Sequence, residues 1–121
     1  MRVLVIDDSE SMRLQVRQAL VGDGHEIIEA CDGVEGLDKL QSVSGLNIAL
    51  CDVNMPRMGG LEVIIEAHRL GLKVPIIMLT TEGQPSMVQQ ARAVGVKGWI
   101  VKPFKPELLV MAIKKVASVK A

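Results

Sequence analysis

Apolar residues along the chain fall into two patterns that alternate. The first is a short unbroken run, seen at Val3-Leu4-Val5-Ile6, Ile48-Ala49-Leu50-Cys51, Pro75-Ile76-Ile77-Met78-Leu79 and Gly98-Trp99-Ile100-Val101, with Glu26-Ile27-Ile28-Glu29-Ala30 as a shorter, more polar version. Apolar runs without polar alternation, bounded by turn signals, read as strands buried on both faces of a sheet. The second pattern has helical spacing. Met12, Val16, Ala19 and Leu20 predict a helix closed by Gly22 and Gly24. A D-x-x-E capping signal from Asp32 to Glu35 starts a second near Gly33, with Val34, Leu37 and Leu40 as its buried face. Leu61, Ile64, Ile65 and Leu70 give a third helix that stops at Gly71. Pro85 suits the first position of a fourth, with Met87, Ala91 and Val94 on one side and Gly95 at its end. Pro106 opens a fifth, with Leu109, Ala112, Ile113 and Val116 facing inward.

Strict alternation of strand and helix predicts an α/β fold. Five parallel strands form one sheet, covered on both faces by five helices through right-handed crossovers. The chain of 121 residues suits a single domain, residues 1–121, with no linker, low-complexity segment or repeat beyond the βα unit. At this size roughly two thirds of the unfolded chain's surface can be buried. Hydrophobic residues make up 49% of the chain but aromatics only 2%, so the core must be aliphatic.

Charge changes the picture by exclusion. Fourteen basic residues balance fourteen acidic ones, which argues against broad binding to nucleic acid or an anionic membrane. The apolar run after Met1-Arg2 is too short for a signal peptide or a membrane span, so a cytoplasmic setting is expected. Cys31 and Cys51 read as two buried free thiols, with a disulfide as the sharper alternative. His25 and His68 read as surface residues with no triad partner in view.

The candidate chemistry lies where the strands end. In open α/β sheets ligands bind beyond the carboxyl ends of the strands. The first strand delivers Asp7 and Asp8 there, the third Asp52, the fourth Thr80 and the fifth Lys102. The second delivers only Ala30-Cys31. Three carboxylates crowded together must take up protons or be neutralised by a cation. The donors are all oxygens, which favours a hard divalent ion, Mg²⁺ before transition metals. A metal, an ammonium and a hydroxyl around one carboxylate match the needs of a transferring phosphoryl group, with Asp52 as nucleophile. Each residue also has a plainer reading. Asp7, Asp8 and Ser9 suit helix caps, Asp52 a turn before Pro56, Thr80 a structural hydroxyl, Lys102 a solvated ammonium and Trp99 the core. The joint pattern is what favours the functional reading.

At these residues the sequence resembles a response-regulator receiver domain. The likeness covers essentially the whole chain and rests on Asp7-Asp8, Asp52-Val53-Asn54-Met55-Pro56, Thr80 and Lys102-Pro103-Phe104. It implies the flavodoxin-like strand order 2-1-3-4-5, for which a member of this family is itself a standard example. It implies that Asp52 accepts phosphate from the phosphohistidine of a sensor histidine kinase. Mg²⁺ would be held by the side chains of Asp8 and Asp52 and the backbone carbonyl of Asn54, with Asp7 acting through water. Lys102 and Thr80 would contact the phosphoryl oxygens, and the Lys102-Pro103 bond would be cis. Thr80 and the aromatic Trp99 would form the switch, changing the partner affinity of the fourth helix, fifth strand and fifth helix. Two positions depart from the family's habit: Trp99 stands where Tyr or Phe is common, and Thr81 where a small residue is usual.

The chain ends about fifteen residues after the last helix begins, so no output domain is expected. Such a receiver acts as a monomer, by binding another protein or passing the phosphoryl group on. It is not an enzyme beyond its own phosphoryl transfer and autodephosphorylation. Ser9-Glu10-Ser11-Met12-Arg13, Asn54 and Glu82 resemble chemotaxis regulators of the CheY type, which implies a role in chemotaxis or motility. The flagellar motor switch or another motility protein would be the target. Lys97, Lys105, Lys114 and Lys115 give the output face a basic tint suited to an acidic partner segment, or are an ordinary solvated surface. A phosphate sink or phosphorelay intermediate is the nearest alternative. A Mg²⁺-dependent aspartyl phosphatase would need a second Asp at position 54, and a nucleotide- or flavin-binding domain would need a Gly-rich loop in place of Asp7-Asp8-Ser9-Glu10.

Overall fold

The computed structural model describes residues 1–80 and 85–118, so Thr81 and Glu82 lie outside the described residues. Ten elements alternate: β1 (Arg2–Ile6), α1 (Glu10–Val21), β2 (Glu26–Ala30), α2 (Gly33–Ser42), β3 (Ile48–Asp52), α3 (Gly60–Arg69), β4 (Ile76–Thr80), α4 (Pro85–Ala93), β5 (Gly98–Val101) and α5 (Pro106–Ser118). The strands form one parallel sheet in the order β2-β1-β3-β4-β5. This is the α/β architecture expected from the sequence, and the order implied by the resemblance.

Because strand side chains alternate between faces, each apolar run feeds two cores. Val3, Val5, Ile48, Leu50, Ile77 and Leu79 meet Val16 and Leu20 of α1 and Leu109 and Ile113 of α5. Leu4, Ile6, Ala49, Cys51, Ile76 and Met78 meet Leu40 of α2 and Val63, Ile64 and Ala67 of α3. Every residue of β3 and β4 is buried, which is why both run without polar alternation until their last position. The β2 edge carries charge: Glu26 pairs with Arg2, and Glu29 with Arg13 and Arg17. Such charges discourage further strand pairing.

Several faces differ from the sequence reading. Val34 is 39% exposed, whereas Gly33, Gly36 and Leu40 face inward. The cause is close approach: a Cβ at Gly36 would lie 2.6 Å from the Ile6 side chain, so α2 sits on the sheet through its glycines. In α3 the inner face is Gly60, Val63, Ile64 and Ala67, while Ile65 and the cap residue Leu70 are exposed. Cys31 is exposed in the β2–α2 turn, and only Cys51 is buried. His25 is no surface residue: its side chain is 7% exposed, its Nδ1 contacts the Met1 amino group at 3.2 Å, and burial followed by that amino group holds its pKa below the usual value. His68 is exposed as expected.

The α1–β2 turn separates two glycines by conformation. Gly22 has φ −59 and open space where a Cβ would go, whereas Gly24 has φ +81. Gly22→Ala is therefore expected to stabilise the fold by about 0.4–1 kcal/mol by restricting the unfolded chain. Gly24→Ala should cost about 1–2 kcal/mol through the left-handed backbone. Paired thermal unfolding curves read both signs.

Candidate functional site

The parallel register brings the acids together. Ile6 is the partner of Cys51 across β1 and β3, so the next residue of each strand, Asp7 and Asp52, emerge side by side. Asp7 extends the ladder, its N–H donating to the Ala30 carbonyl at 3.0 Å. Asp7 is 1% exposed and Asp52 8%, while Asp8 is exposed. One carboxylate oxygen from each of Asp7, Asp8 and Asp52 lies within 4.8 Å of the others.

Lys102 supplies the counter-charge. Its Nζ lies 3.0 Å from Asp7 Oδ2 and 3.2 Å from Asp52 Oδ1, and its side chain is only 9% exposed. Its backbone is tied to the end of β4, the Lys102 N–H donating to the Thr80 carbonyl at 2.7 Å. The Lys102-Pro103 peptide is cis, as the resemblance implied. Thr80 closes β4 and is buried, one residue past the Leu79 that pairs with Asp52. Asp7 is oriented by the Ser9 N–H, which donates to its Oδ1 at 2.9 Å, while the Ser9 hydroxyl caps α1 by accepting the Met12 N–H at 3.2 Å. Ser9 thus serves as helix cap and Asp7 does not.

The electrostatics follow from this geometry. Burial pushes the Asp52 carboxyl above the usual carboxylate range, and the charge of Asp7 adds to it; Lys102 and the Val53 N–H oppose both without cancelling them. Burial alone would lower the Lys102 ammonium, but the hydrogen bond and charge of Asp7, then those of Asp52, leave it raised. Three carboxylates therefore face one firmly charged ammonium. Such a set still lacks positive charge, and its donors are hard oxygens, so the residues present fit a small divalent cation such as Mg²⁺.

Beside the acids lies a cleft of ≈ 520 Å³, lined by Asp8, Asn54, Glu62 and the apolar Val53, Met55, Leu61 and Met87. It puts Asn54 in the same cleft as Asp8. Trp99 stands apart, half-buried on β5 against the α3–α4 core; among the described residues its buried Nε1 has no hydrogen-bond partner. It lines a second cavity of ≈ 540 Å³ with Lys73, Lys97, Ala112, Lys115 and Val116. Lys114, read with the basic face, instead pairs with Asp23 at 2.7 Å.

The sequence reading missed what braces Asp52 from behind. Gly59 and Gly60, which precede the helical pattern read from Leu61 onward, cap and start α3 directly under β3. The Gly60 N–H donates to the Val53 carbonyl at 2.9 Å, and a Cβ on Gly60 would overlap the Asp52 carbonyl oxygen. The adjacent glycines before a helical pattern were the one available signal.

Comparisons with known proteins agree with this geometry. The model of the response regulator receiver domain family matches residues 3–114. The chain is 41% identical over 112 residues to the chemotaxis protein CheY homolog of Campylobacter jejuni, covering 90% of this chain and 86% of that protein. Among solved structures it is similar to the chemotaxis protein CheY4 of Vibrio cholerae, at 41% identity and a TM-score of 0.87, covering 95% of this chain and 97% of that one. A CheY-like receiver domain from Methanospirillum hungatei superposes with a TM-score of 0.91 at 30% identity, covering 98% and 94%. A family match over most of the chain, on a sheet whose ends gather three aspartates with one lysine bridging two of them, leaves a single assignment: the chain belongs to the response regulator receiver domain family.

Proposed function

We propose that this receiver takes a phosphoryl group from a sensor histidine kinase onto Asp52 and, so modified, changes its binding to a target protein in bacterial chemotaxis or motility. The observation that carries the reading is the Lys102 ammonium, held at 3.0 and 3.2 Å from Asp7 and Asp52 inside the acid cluster. The chemotaxis names of the relatives at 35–41% identity support the pathway. Among the described residues no helix is long and apolar enough to cross a membrane, which is compatible with work in the cytoplasm.

The chain's own residues divide the task. Asp52 Oδ1 accepts the Val53 N–H at 2.9 Å and faces Lys102, leaving Oδ2 to attack phosphorus. The new O–P bond forms as the P–N bond of phosphohistidine breaks. The bond pair returns to the imidazole nitrogen, and the product is an aspartyl phosphate. Lys102 stays in place, exchanging carboxylate partners for phosphoryl oxygens, and the Thr80 hydroxyl donates to another of them. Asp8, Asp52 and the Asn54 carbonyl, with Asp7 through water, would hold magnesium, which would supply neutralisation of the phosphoryl charge. Water attack on phosphorus later returns the carboxylate, so the chain catalyses only its own transfer and dephosphorylation.

The output is a population shift. Thr80 drawn toward the phosphoryl group opens space for Trp99, whose buried indole N–H has no partner among the described residues. The surface that changes is that of α4, β5 and α5; next to it, between the start of β4, β5 and α5, Lys73, Lys97 and Lys115 line a cavity suited to an acidic partner segment.

Intact-mass measurement after incubation with acetyl phosphate and MgCl₂ tests the reading. The wild type should gain one phosphoryl mass, with no gain for Asp52→Asn or in the presence of a chelator. A wild type that stays unmodified, or an Asn variant modified equally, sinks it.

A further inference from the structure

The segment from Val53 to Gly60, between β3 and α3, is fastened in a way the acid cluster does not explain. Arg57 has φ 68, in the left-handed region, and the Met58 N–H donates to the Pro56 carbonyl at 2.7 Å. The crest of the loop is therefore a three-residue γ-turn of the rare, strained hand. A residue with a Cβ persists there only where its surroundings hold it.

Two contacts from the first turn of α2 do the holding. Arg57 Nη1 lies 3.5 Å from Asp32 Oδ2. Asp32 is itself anchored: it is buried, and its Oδ1 caps α2 by accepting the Glu35 N–H at 2.8 Å. Gly33 is buried so close under the Met58 carbonyl that a Cβ there would overlap the carbonyl oxygen. The crest of the loop rests on α2 while its base is tied to β3 through Gly60. Asn54 lies between these two supports, in the cleft it shares with Asp8.

We infer that Asp32, Gly33 and Arg57 are positioning residues, through which the N-terminus of α2 sets where the Asn54 backbone carbonyl stands beside the acid cluster. The inference rests on the proposed role of that carbonyl toward Mg²⁺. Movement of α2 then alters cation affinity with no change in any ligand.

Calorimetric titration with MgCl₂ alone tests this on the wild type, Asp32→Asn, Arg57→Asn and the double variant. Asparagine caps helices as well as aspartate and tolerates the left-handed backbone, so each change removes the ion pair and spares the turn. Positioning predicts that both single variants weaken Mg²⁺ binding by about threefold, the scale of a partly exposed pair. The double variant should then be no worse than the weaker single. Charge acting through space predicts opposite signs, because losing Asp32 weakens and losing Arg57 tightens cation binding; that result overturns the inference. Gly33→Ala should weaken binding at least about tenfold, as for outer residues that orient a metal ligand; if it does not fold, the asparagine pair decides. A wild type that binds no Mg²⁺ defeats the reading of the acid cluster and this inference with it. A wild type that binds, with all variants binding equally, defeats this inference alone.

Discussion

Lys102→Met is expected to destabilise the metal-free protein by about 3 kcal/mol at neutral pH, near the lower end of the cost of stripping one partner from a buried ion pair. Methionine keeps most of the stem's apolar volume, so the loss falls on charge. Asp7 and Asp52 would then face each other, nearly covered, with no ammonium at 3.0–3.2 Å. The pH dependence has a definite sign. Asp52 already sits above its usual range through burial and then Asp7, and without Lys102 it rises further. A carboxyl raised in the folded state binds protons that the unfolded chain has released. Stability therefore falls as pH rises through the folded pKa, and the penalty disappears below about pH 4, where the unfolded carboxyl is also protonated. Urea unfolding of wild type and variant at neutral and acid pH reads this directly. Added MgCl₂ should narrow the gap at neutral pH, because a cation bound only by the folded state stabilises it. Phosphoryl transfer from a small donor should fall by about 10²–10³, the usual loss for one preorganised charge donor. A variant as stable as the wild type, with a gap indifferent to pH, contradicts the site electrostatics.

Gly60→Ala is expected to destabilise the fold by about 1–3 kcal/mol, as overpacking in a dense core does. The added methyl meets the Asp52 carbonyl oxygen, and Met78 Cε lies 2.7 Å from its position. The methionine tip can turn aside, but the carbonyl is backbone and cannot. Either α3 backs away from β3 or the end of β3 bends, and the second outcome moves Asp52 relative to Lys102. The variant should lose phosphoryl uptake beyond what its stability explains, because Asp52 must stay close to its partners for in-line attack. Gly59→Ala is the graded control. Its Cβ would lie 2.9 Å from the Val53 carbonyl oxygen, a milder conflict one residue farther from Asp52, and it should show a smaller loss of both properties. Equal behaviour of the two variants would contradict the bracing role assigned to Gly60.

What the sequence made legible was whatever hydropathy and residue type encode. The runs at Val3–Ile6 and Ile48–Cys51 are buried on both faces, so their apolar continuity exposed them as strands and made Asp7 and Asp52 conspicuous as the first polar residues after them. Lys102 was legible as the first polar residue after the apolar run Gly98–Val101, although this edge strand is only half-buried and Val101 is 54% exposed, not covered on both faces as its run suggested. What remained hidden was carried by backbone. The inner face of α2 is built from Gly33 and Gly36, which carry no hydropathy signal, so the reading shifted to the exposed Val34. Arg57 gives no hint of a left-handed turn, because non-glycine residues enter that region only under tertiary constraint. His25 meets the amino group of Met1, twenty-four residues away, and no local pattern encodes that contact.

The most direct measurement is reductive trapping of the phosphorylated protein with borohydride, followed by peptide mapping. Borohydride converts an aspartyl phosphate, and not a free carboxylate, to homoserine. Homoserine at position 52, dependent on both phosphodonor and magnesium, is the predicted result. Homoserine at position 7 or 8 instead, or a phosphoryl group that resists borohydride on Ser9 or Thr80, would show that the acid cluster serves another chemistry.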